Sequence, residues 1–226
     1  MKILHLETSS KNCSVAISEG EELLCLCEEV SENYKQSESL HTFVEWALEG
    51  TEITLNELDA ISLGKGPGSY TGLRIGASSA KGFCFGLNIP LIAINSLETM
   101  IEPFLKNDYD LIIPLIDARR MEVYTAVFDG NSGDMLTQTE AKVLEEHSFQ
   151  EYHDKKILFV GDGVTKAKEI LQLSTADFDD KVYPTAKYLI KKAVERYNQK
   201  EFEDVAYFEP FYLKDFQGVK KKKSEE

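Results

Sequence analysis

Residues 59–86, DAISLGKGPGSYTGLRIGASSAKGFCFG, decide the class of fold that this sequence predicts. They begin as a short apolar strand and end as a helix, and the glycine-rich segment Gly64–Gly76 joins the two. The segment has neither the lysine and hydroxyl ending of a P-loop nor the spacing of a dinucleotide-binding turn. Pro67 fixes its own φ, while Gly66 and Gly68 can adopt positive φ. We therefore expect a tight strand-to-helix turn that binds no phosphate.

The helix after this turn has small or apolar residues over most of its surface. Such a helix is covered on more than one side, and small residues let another helix approach closely. One cover is its own sheet, and the second is either the neighbouring helix over residues 37–49 or another subunit. The candidate partner interface on these two helices comprises Leu40, Val44, Trp46, Gly72, Leu73, Gly76, Ala80 and Phe83.

The elements around this unit follow one order that is used twice. Three strand patterns, KILHLE, CSVAIS and LLCLCEEV, precede a helix, and the first half then reads β-β-β-α-β-α-β-α. The second half repeats the order more loosely, with helices expected at VLEEHSFQEY and AKYLIKKAVERYN. Two copies of one order predict a duplicated α/β fold with two lobes, residues 1–105 and 106–216, followed by a flexible tail over residues 217–226.

Composition limits the function further. The chain has 226 residues, 42% of them hydrophobic, a net charge of −14, and no apolar run long enough for a membrane span. Four cysteines without a CxxC pair indicate a reduced, cytoplasmic protein. An acidic surface repels phosphates, which argues against tight nucleic-acid binding by the body of the protein. The basic run Lys220–Lys223 is either a solvated tail or a contact with RNA or an acidic partner.

The strand and helix order looks like that of the actin, sugar-kinase and Hsp70 superfamily, whose members bind nucleotides between two hairpin turns. Where those members carry Asp and a glycine turn, the first hairpin here has Glu7 and no glycine from Thr8 to Asn12, which favours a simple turn over a phosphate loop.

In the second hairpin, Asp117 is followed by Arg119 and Arg120, which either recognise phosphate or carboxylate or pair with Glu7, Glu122 or Asp117 in a structural network. The turn Gly161–Gly163 either supports an adenosine or is a plain strand-to-helix turn. These residues are the weak nucleotide candidates.

Other catalytic chemistry lacks its residues. The four histidines form no HExxH motif and no pair at helical spacing, so a metallopeptidase has no ligands, and no GxSxG nucleophile turn is present. The sequence thus predicts no catalytic residue, no bound metal and no cofactor.

The segments GKGPGSYTGLRIG, LHLETSS…CSVAIS, IDARRMEVYTAVF, GDG and PFYLKDF closely resemble the TsaB (YeaZ) family, over the chain to about Phe216. The resemblance implies an actin-like, two-lobed protein without catalysis of its own. It would activate a catalytic paralogue, TsaD, that transfers a threonylcarbamoyl group to adenosine 37 of tRNAs reading ANN codons.

The resemblance further implies TsaE as an ATPase partner, TsaC as the source of threonylcarbamoyl-adenylate, and a homodimer when the chain is isolated. Partner contacts would use the helices of the first lobe, and tRNA would be reached through the complex. Gln36 stands where the paralogue has its first metal-binding histidine. The alternative is an ATP-dependent small-molecule kinase or phosphohydrolase that uses Glu7, Asp117 and Gly161–Gly163.

Overall fold

The computed structural model describes residues 1–31 and 36–214, with the side chains of residues 36–38 left aside. The tail prediction and Lys220–Lys223 therefore lie outside the described residues. The strands are β1 Lys2–Glu7, β2 Asn12–Glu19, β3 Glu22–Val30, β4 Ala60–Gly64, β5 Leu91–Ile94, β6 Leu111–Asp117, β7 Glu122–Thr125, β8 Phe128–Asp129, β9 Glu140–Val143, β10 Ile157–Val160 and β11 Ala176–Asp179. The helices are α1 Gln36–Thr51, α2 Tyr70–Leu87, α3 Ser96–Ile101, α4 Val164–Ile170 and α5 Ile190–Gln199.

The first sheet has the strand order β3-β2-β1-β4-β5. β1, β2 and β3 pair antiparallel in sequence, and β4 and β5 then add parallel to β1 through helical crossovers. All residues of β4 and β5 are buried, as expected for central strands covered on both faces. This arrangement matches the predicted order of the first half.

Both faces of the first sheet are covered by helices. α1 and α2 pack on one face through a core that includes Leu6, Val44 and Ala80. α5 and the turn of 3-10 helix before it cover the other face, where Leu189 and Ala193 contact strand residues. The sheet therefore lies between two helical layers.

The second sheet has the strand order β11-β10-β6-β7-β9, with β8 beside β6. The prediction of a helix at VLEEHSFQEY is wrong: Val143 ends β9, and only residues 150–152 form a short 3-10 turn. The physical reason is that Phe149 takes a left-handed conformation, with φ of 64°, so that its ring can pack in the second core. β11 was not foreseen, because ADFD lacks a strand-like apolar pattern.

The lobe boundaries, residues 1–105 and 106–216, stay a prediction. α5, which the sequence placed in the second lobe, packs on the first sheet. The residue composition of the apolar stripe of α5 does not indicate which of the two sheets it covers. Only the tertiary structure shows that it covers the first sheet.

Residues 202–214, which we call the C-terminal strap, join the two halves. The strap begins beside β5, where Glu203 N–H donates to Leu91 O at 2.9 Å, and Phe208 enters the first core. Phe211 N–H then donates to Lys65 O at 2.8 Å. The strap ends at the second half, where Lys214 Nζ donates to Ala118 O at 3.3 Å. In the described part of the chain, no helix is long and apolar enough to cross a membrane.

Candidate functional site

The glycine-rich turn between β4 and α2 is shaped by the first hairpin rather than by a ligand. A Cβ on Gly64 would lie 1.9 Å from Glu7 Oε2, and one on Gly72 would lie 2.0 Å from the Thr8 carbonyl oxygen. A Cβ on Gly68 would lie 2.1 Å from the Ser9 carbonyl oxygen. Each glycine thus leaves space that the chain itself occupies, so close packing explains all three glycines.

The carboxylate of Glu7 is sealed inside this contact. Its side chain has no solvent exposure. Ser9 N–H donates to Oε1 at 2.8 Å and Ser96 Oγ–H donates to Oε2 at 3.0 Å. Burial raises the pKa of Glu7, although these donors oppose the shift. A nucleotide or a magnesium ion cannot reach this carboxylate without opening the fold.

In the turn of the first hairpin, backbone amides that a phosphate loop would direct at its ligand donate to the chain's own oxygen atoms. Ser9 N–H donates to Glu7, and Asn12 N–H donates to Ser10 Oγ at 3.1 Å. In addition, Ser69 N–H donates to Ser9 O at 2.6 Å, which binds the turn to the start of α2. The first hairpin turn packs against the start of α2 here and does not form an anion-binding loop.

In the second hairpin as well, backbone amides donate to side chains of the protein itself. Asp117 N–H donates to Asp162 Oδ1 at 2.8 Å, and Arg119 N–H donates to Asp117 Oδ1 at 2.6 Å. Lys166 Nζ contacts the same Asp117 oxygen at 2.6 Å. Burial is the main cause that raises the pKa of Asp162. Carboxylates of the chain therefore occupy the positions where phosphate oxygens would accept.

The two arginines of this hairpin do not join the network that was predicted as one alternative. Arg119 and Arg120 are exposed, and neither forms an ion pair within 4.0 Å with a carboxylate of the described residues. Lysines pair there instead: Lys166 with Asp117, and Lys214 with Glu122. No spacing in the sequence indicates these two lysines, which come from α4 and from the strap.

The turn Gly161–Gly163 packs against β6. A Cβ on Gly161 would lie 2.4 Å from the Leu115 carbonyl oxygen, and Gly163 N–H donates to the same oxygen at 2.9 Å. Close packing against β6 explains these two glycines without a bound adenosine. The small crevice lined by Gly68, Tyr70 and Tyr124 has a volume of about 20 Å³, room for little more than a water.

Six of the eight candidate interface residues are buried within the chain, and their role as partner contacts stays a prediction. These six are Leu40, Val44, Gly72, Leu73, Gly76 and Ala80. The second cover of α2 is supplied by the Thr8–Asn12 turn, by α1 and by Phe208 of the strap. Phe83 is partly buried, and Trp46 remains 54% exposed.

The exposed side of α2 carries Phe85, which is 86% exposed, and two glycines, Gly82 and Gly86, at which a Cβ would meet no atom within 4 Å. The candidate interface residues did not include Phe85, although its position beside Arg74, Ser78 and Lys81 on the helix was a signal that it is exposed.

Metal ligands are not gathered anywhere in residues 1–31 and 36–214, where no group of three or more His, Cys, Asp or Glu side chains could hold an ion. The Gln36 side chain lies outside the description. His5 is fully buried between Ser62 Oγ at 2.7 Å and Ser18 Oγ at 2.8 Å. Burial lowers the pKa of His5 to about 3.

The two sheets, their helical layers and the paired hairpins define a protein of the actin-like α/β class, as the element order predicted. A family model described as TsaD, tRNA N6-adenosine threonylcarbamoyltransferase, matches residues 28–218. The chain belongs to the TsaB (YeaZ) family, which confirms the resemblance seen in the sequence.

Individual relatives cover nearly the whole chain. The tRNA threonylcarbamoyladenosine biosynthesis protein TsaB of Escherichia coli is 27% identical and covers 98% of both chains. TsaB of Haemophilus influenzae is also 27% identical and covers 95% of this chain and 94% of its own. The structure of YeaZ from Pseudomonas aeruginosa matches with a TM-score of 0.82 at 25% identity, over 94% of this chain and 99% of that one. A second Pseudomonas aeruginosa structure, with a TM-score of 0.83, is described as similar to peptidase YeaZ.

Proposed function

We propose that this chain is a non-catalytic subunit of the complex that transfers a threonylcarbamoyl group to adenosine 37 of tRNAs reading ANN codons, and that it activates the catalytic paralogue, TsaD. The proposal rests mainly on the complete burial of the Glu7 carboxylate. At the position where catalytic relatives of this fold act on phosphate, the carboxylate is buried and bound by Ser9 and Ser96. The names of the TsaB relatives support the biosynthetic role.

The partner surface in this proposal is the outer side of α1 and α2, defined by Trp46, Phe83 and Phe85. β3 and β4 run in the same direction, so the helices that follow them are parallel. His41 Nε2 lies 3.1 Å from Ser79 Oγ, which sets their register. Trp46 comes five residues after His41, and Cys84 comes five residues after Ser79. Phe85 directly follows Cys84, so Trp46 and Phe85 lie at nearly the same height on these two adjacent helices.

A helix of the paralogue suits this surface. Exposed aromatic side chains are common interface anchors, and the open space over Gly82 and Gly86 lets a second helix come close to the backbone of α2. The same surface serves a homodimer when the chain is isolated. TsaE joins as the ATPase, tRNA is reached through the complex, and the complex is cytoplasmic.

The decisive experiment mixes the purified chain with the paralogue and measures association by size-exclusion chromatography and calorimetry. Phe85→Asp places a charge in the centre of the surface and should weaken association at least tenfold, because a desolvated charge there has no partner. Leu136→Asp is the matched control, since Leu136 is 55% exposed but belongs to the second half. Equal association of both variants with the paralogue would show that the interface lies elsewhere, and no association of the unaltered chain would refute the subunit role.

The alternative, an ATP-dependent kinase or phosphohydrolase, is separated by titration with Mg-ATP. With Glu7 sealed and the amide of Asp117 taken by Asp162, we expect no heat of binding up to millimolar nucleotide. Saturable binding at micromolar levels that Asp117→Asn abolishes would favour the alternative.

A further inference from the structure

The C-terminal strap is fastened to the first half at several points. Phe208 is 7% exposed and lies in the first core. Phe211 N–H donates to Lys65 O at 2.8 Å, and the ring centroid of Tyr212 lies 4.9 Å from that of Tyr70. Burial, a backbone hydrogen bond and an aromatic contact therefore fix the strap on the first half.

Lys81 of α2 holds the strap from the outer side of the helix. Its Nζ donates to Ala206 O at 3.1 Å and to Phe208 O at 3.1 Å, so one ammonium group binds two carbonyls of the strap. Phe85 comes four residues after Lys81, so the two side chains are neighbours on one side of α2. Gly82, where a Cβ would meet no atom within 4 Å, directly follows Lys81. A helix that packs over Phe85 and Gly82 therefore also covers Lys81.

At its other end the strap reaches the second half through Lys214. The Lys214 ammonium group donates to Ala118 O at 3.3 Å, pairs with the carboxylate of Glu122, and lies 5.6 Å from the centre of the Tyr124 ring. All three partners belong to the β6–β7 hairpin. Burial is the main cause that lowers the pKa of Lys214, and the Arg120 guanidinium group adds to it. This contact depends on one ammonium group, and we take it to be weaker than the anchors on the first half.

We propose that the strap is a conformational device that couples the outer side of α2 to the β6–β7 hairpin. Lys81 sets the position of the strap at α2, and Lys214, six residues after Phe208, passes that position on to the hairpin. So short a connection, held at Phe211 in between, has little slack in which a shift at α2 could be lost. A helix that packs over Phe85 excludes water from the hydrogen bonds of Lys81, which strengthens them and tightens the strap. The identity of that helix rests on the function proposed above, whereas the coupling is a property of this chain alone.

The first test follows amide hydrogen exchange by NMR in the full chain, with substitutions that keep the aliphatic part of each lysine. Lys214→Met removes the ammonium group at the hairpin and should speed exchange of the Ala118 and Glu122 amides roughly tenfold. The Phe211 amide should not respond to it, because Phe211 is anchored on the first half. Lys81→Met removes both bonds from α2, and should speed exchange of Phe211 and, through the strap, of both hairpin amides by roughly three- to tenfold.

Lys192→Met is the matched control, because Lys192 pairs with Glu195 on the surface of α5 and should leave exchange of all three amides unchanged. The coupling is refuted if Lys81→Met alters the Phe211 amide alone, or none of the three. It is refuted as well if Lys192→Met speeds the three amides as much as Lys81→Met does, since the effect would then be a general loss of stability.

The second test adds the catalytic paralogue to the unaltered chain. Its association should slow exchange of the Ala118 and Glu122 amides roughly threefold or more, although this hairpin lies outside the proposed partner surface. In Lys214→Met, the paralogue should bind with the same affinity while the slowing disappears. Unchanged or faster hairpin exchange on association, or equal slowing in Lys214→Met, overturns the coupling. Should the paralogue fail to associate at all, the proposed subunit function fails, and the exchange rates of the isolated Lys81→Met and Lys214→Met variants still decide whether the strap couples the two surfaces.

Discussion

Replacement of Gly72 by alanine tests whether the glycine-rich turn exists to bring α2 against the first hairpin. The new Cβ would lie 2.0 Å from the Thr8 carbonyl oxygen, so the start of α2 must move by about 1.5 Å to restore an ordinary contact. That movement strains the hydrogen bond from Thr8 Oγ1–H to Gly72 O, now 2.8 Å, and the contact of Ser69 N–H with Ser9 O.

The magnitude follows from three contributions. Forcing a methyl group into a packed contact costs about 1 to 3 kcal/mol, and weakening a buried hydrogen bond costs about 1 kcal/mol. Alanine in a helix returns about 0.5 to 1 kcal/mol relative to glycine. We therefore expect Gly72→Ala to lower the free energy of unfolding by about 1 to 3.5 kcal/mol.

Gly82→Ala is the matched control, because Gly82 lies in the same helix and its Cβ would meet no atom within 4 Å. It should gain about 0.5 to 1 kcal/mol. Urea unfolding followed by circular dichroism measures both variants, at two protein concentrations so that self-association is recognised. If Gly72→Ala is as stable as the unaltered chain, or if both variants shift together, the close approach of α2 to Thr8 is not what requires the glycine.

Three further predictions concern the buried groups. Glu7→Gln removes a buried carboxylate whose pKa is raised in the folded state. Because the folded state binds that proton more tightly than the unfolded state, the unaltered chain loses stability as pH rises above about 4.5, and the variant does not. The stability of the variant relative to the unaltered chain should therefore be higher at pH 8 than at pH 5, as measured by urea unfolding. His5 has the opposite sign: its folded pKa is about 3 against 6.5, so the unfolded state takes up the proton first and stability falls below pH 6.5 by about 1.4 kcal/mol per unit, a slope that His5→Gln should lack. Phe208→Ala should cost about 3 kcal/mol in thermal or urea unfolding because Phe208 fills the first core, whereas Tyr207→Ala, 85% exposed, should change stability by less than about 0.5 kcal/mol, and equal effects would contradict the role of the strap.

The site was predictable where it depends on local chemistry. Absence of glycine between Thr8 and Asn12, and the longer Glu7 in place of aspartate, predict that the first hairpin is no phosphate loop, and the structure places the Glu7 side chain there fully buried. The partner face was not predictable in the same way. Periodicity identifies which residues of α2 share a face, but it treats burial by the chain's own hairpin and burial by another subunit alike.

The sequence by itself determined the strands and helices of the first half and the order in which they alternate, because periods of two and of about 3.6 residues and the glycine and proline positions act locally. It also determined which hairpins lack phosphate-binding residues. Only the tertiary structure decided that α5 returns to the first sheet, that Gly72 and Gly76 lie against Thr8, and that Lys166 and Lys214 pair with carboxylates of the β6–β7 hairpin. These outcomes depend on contacts between residues far apart in the chain, and such contacts have no period for a sequence to display.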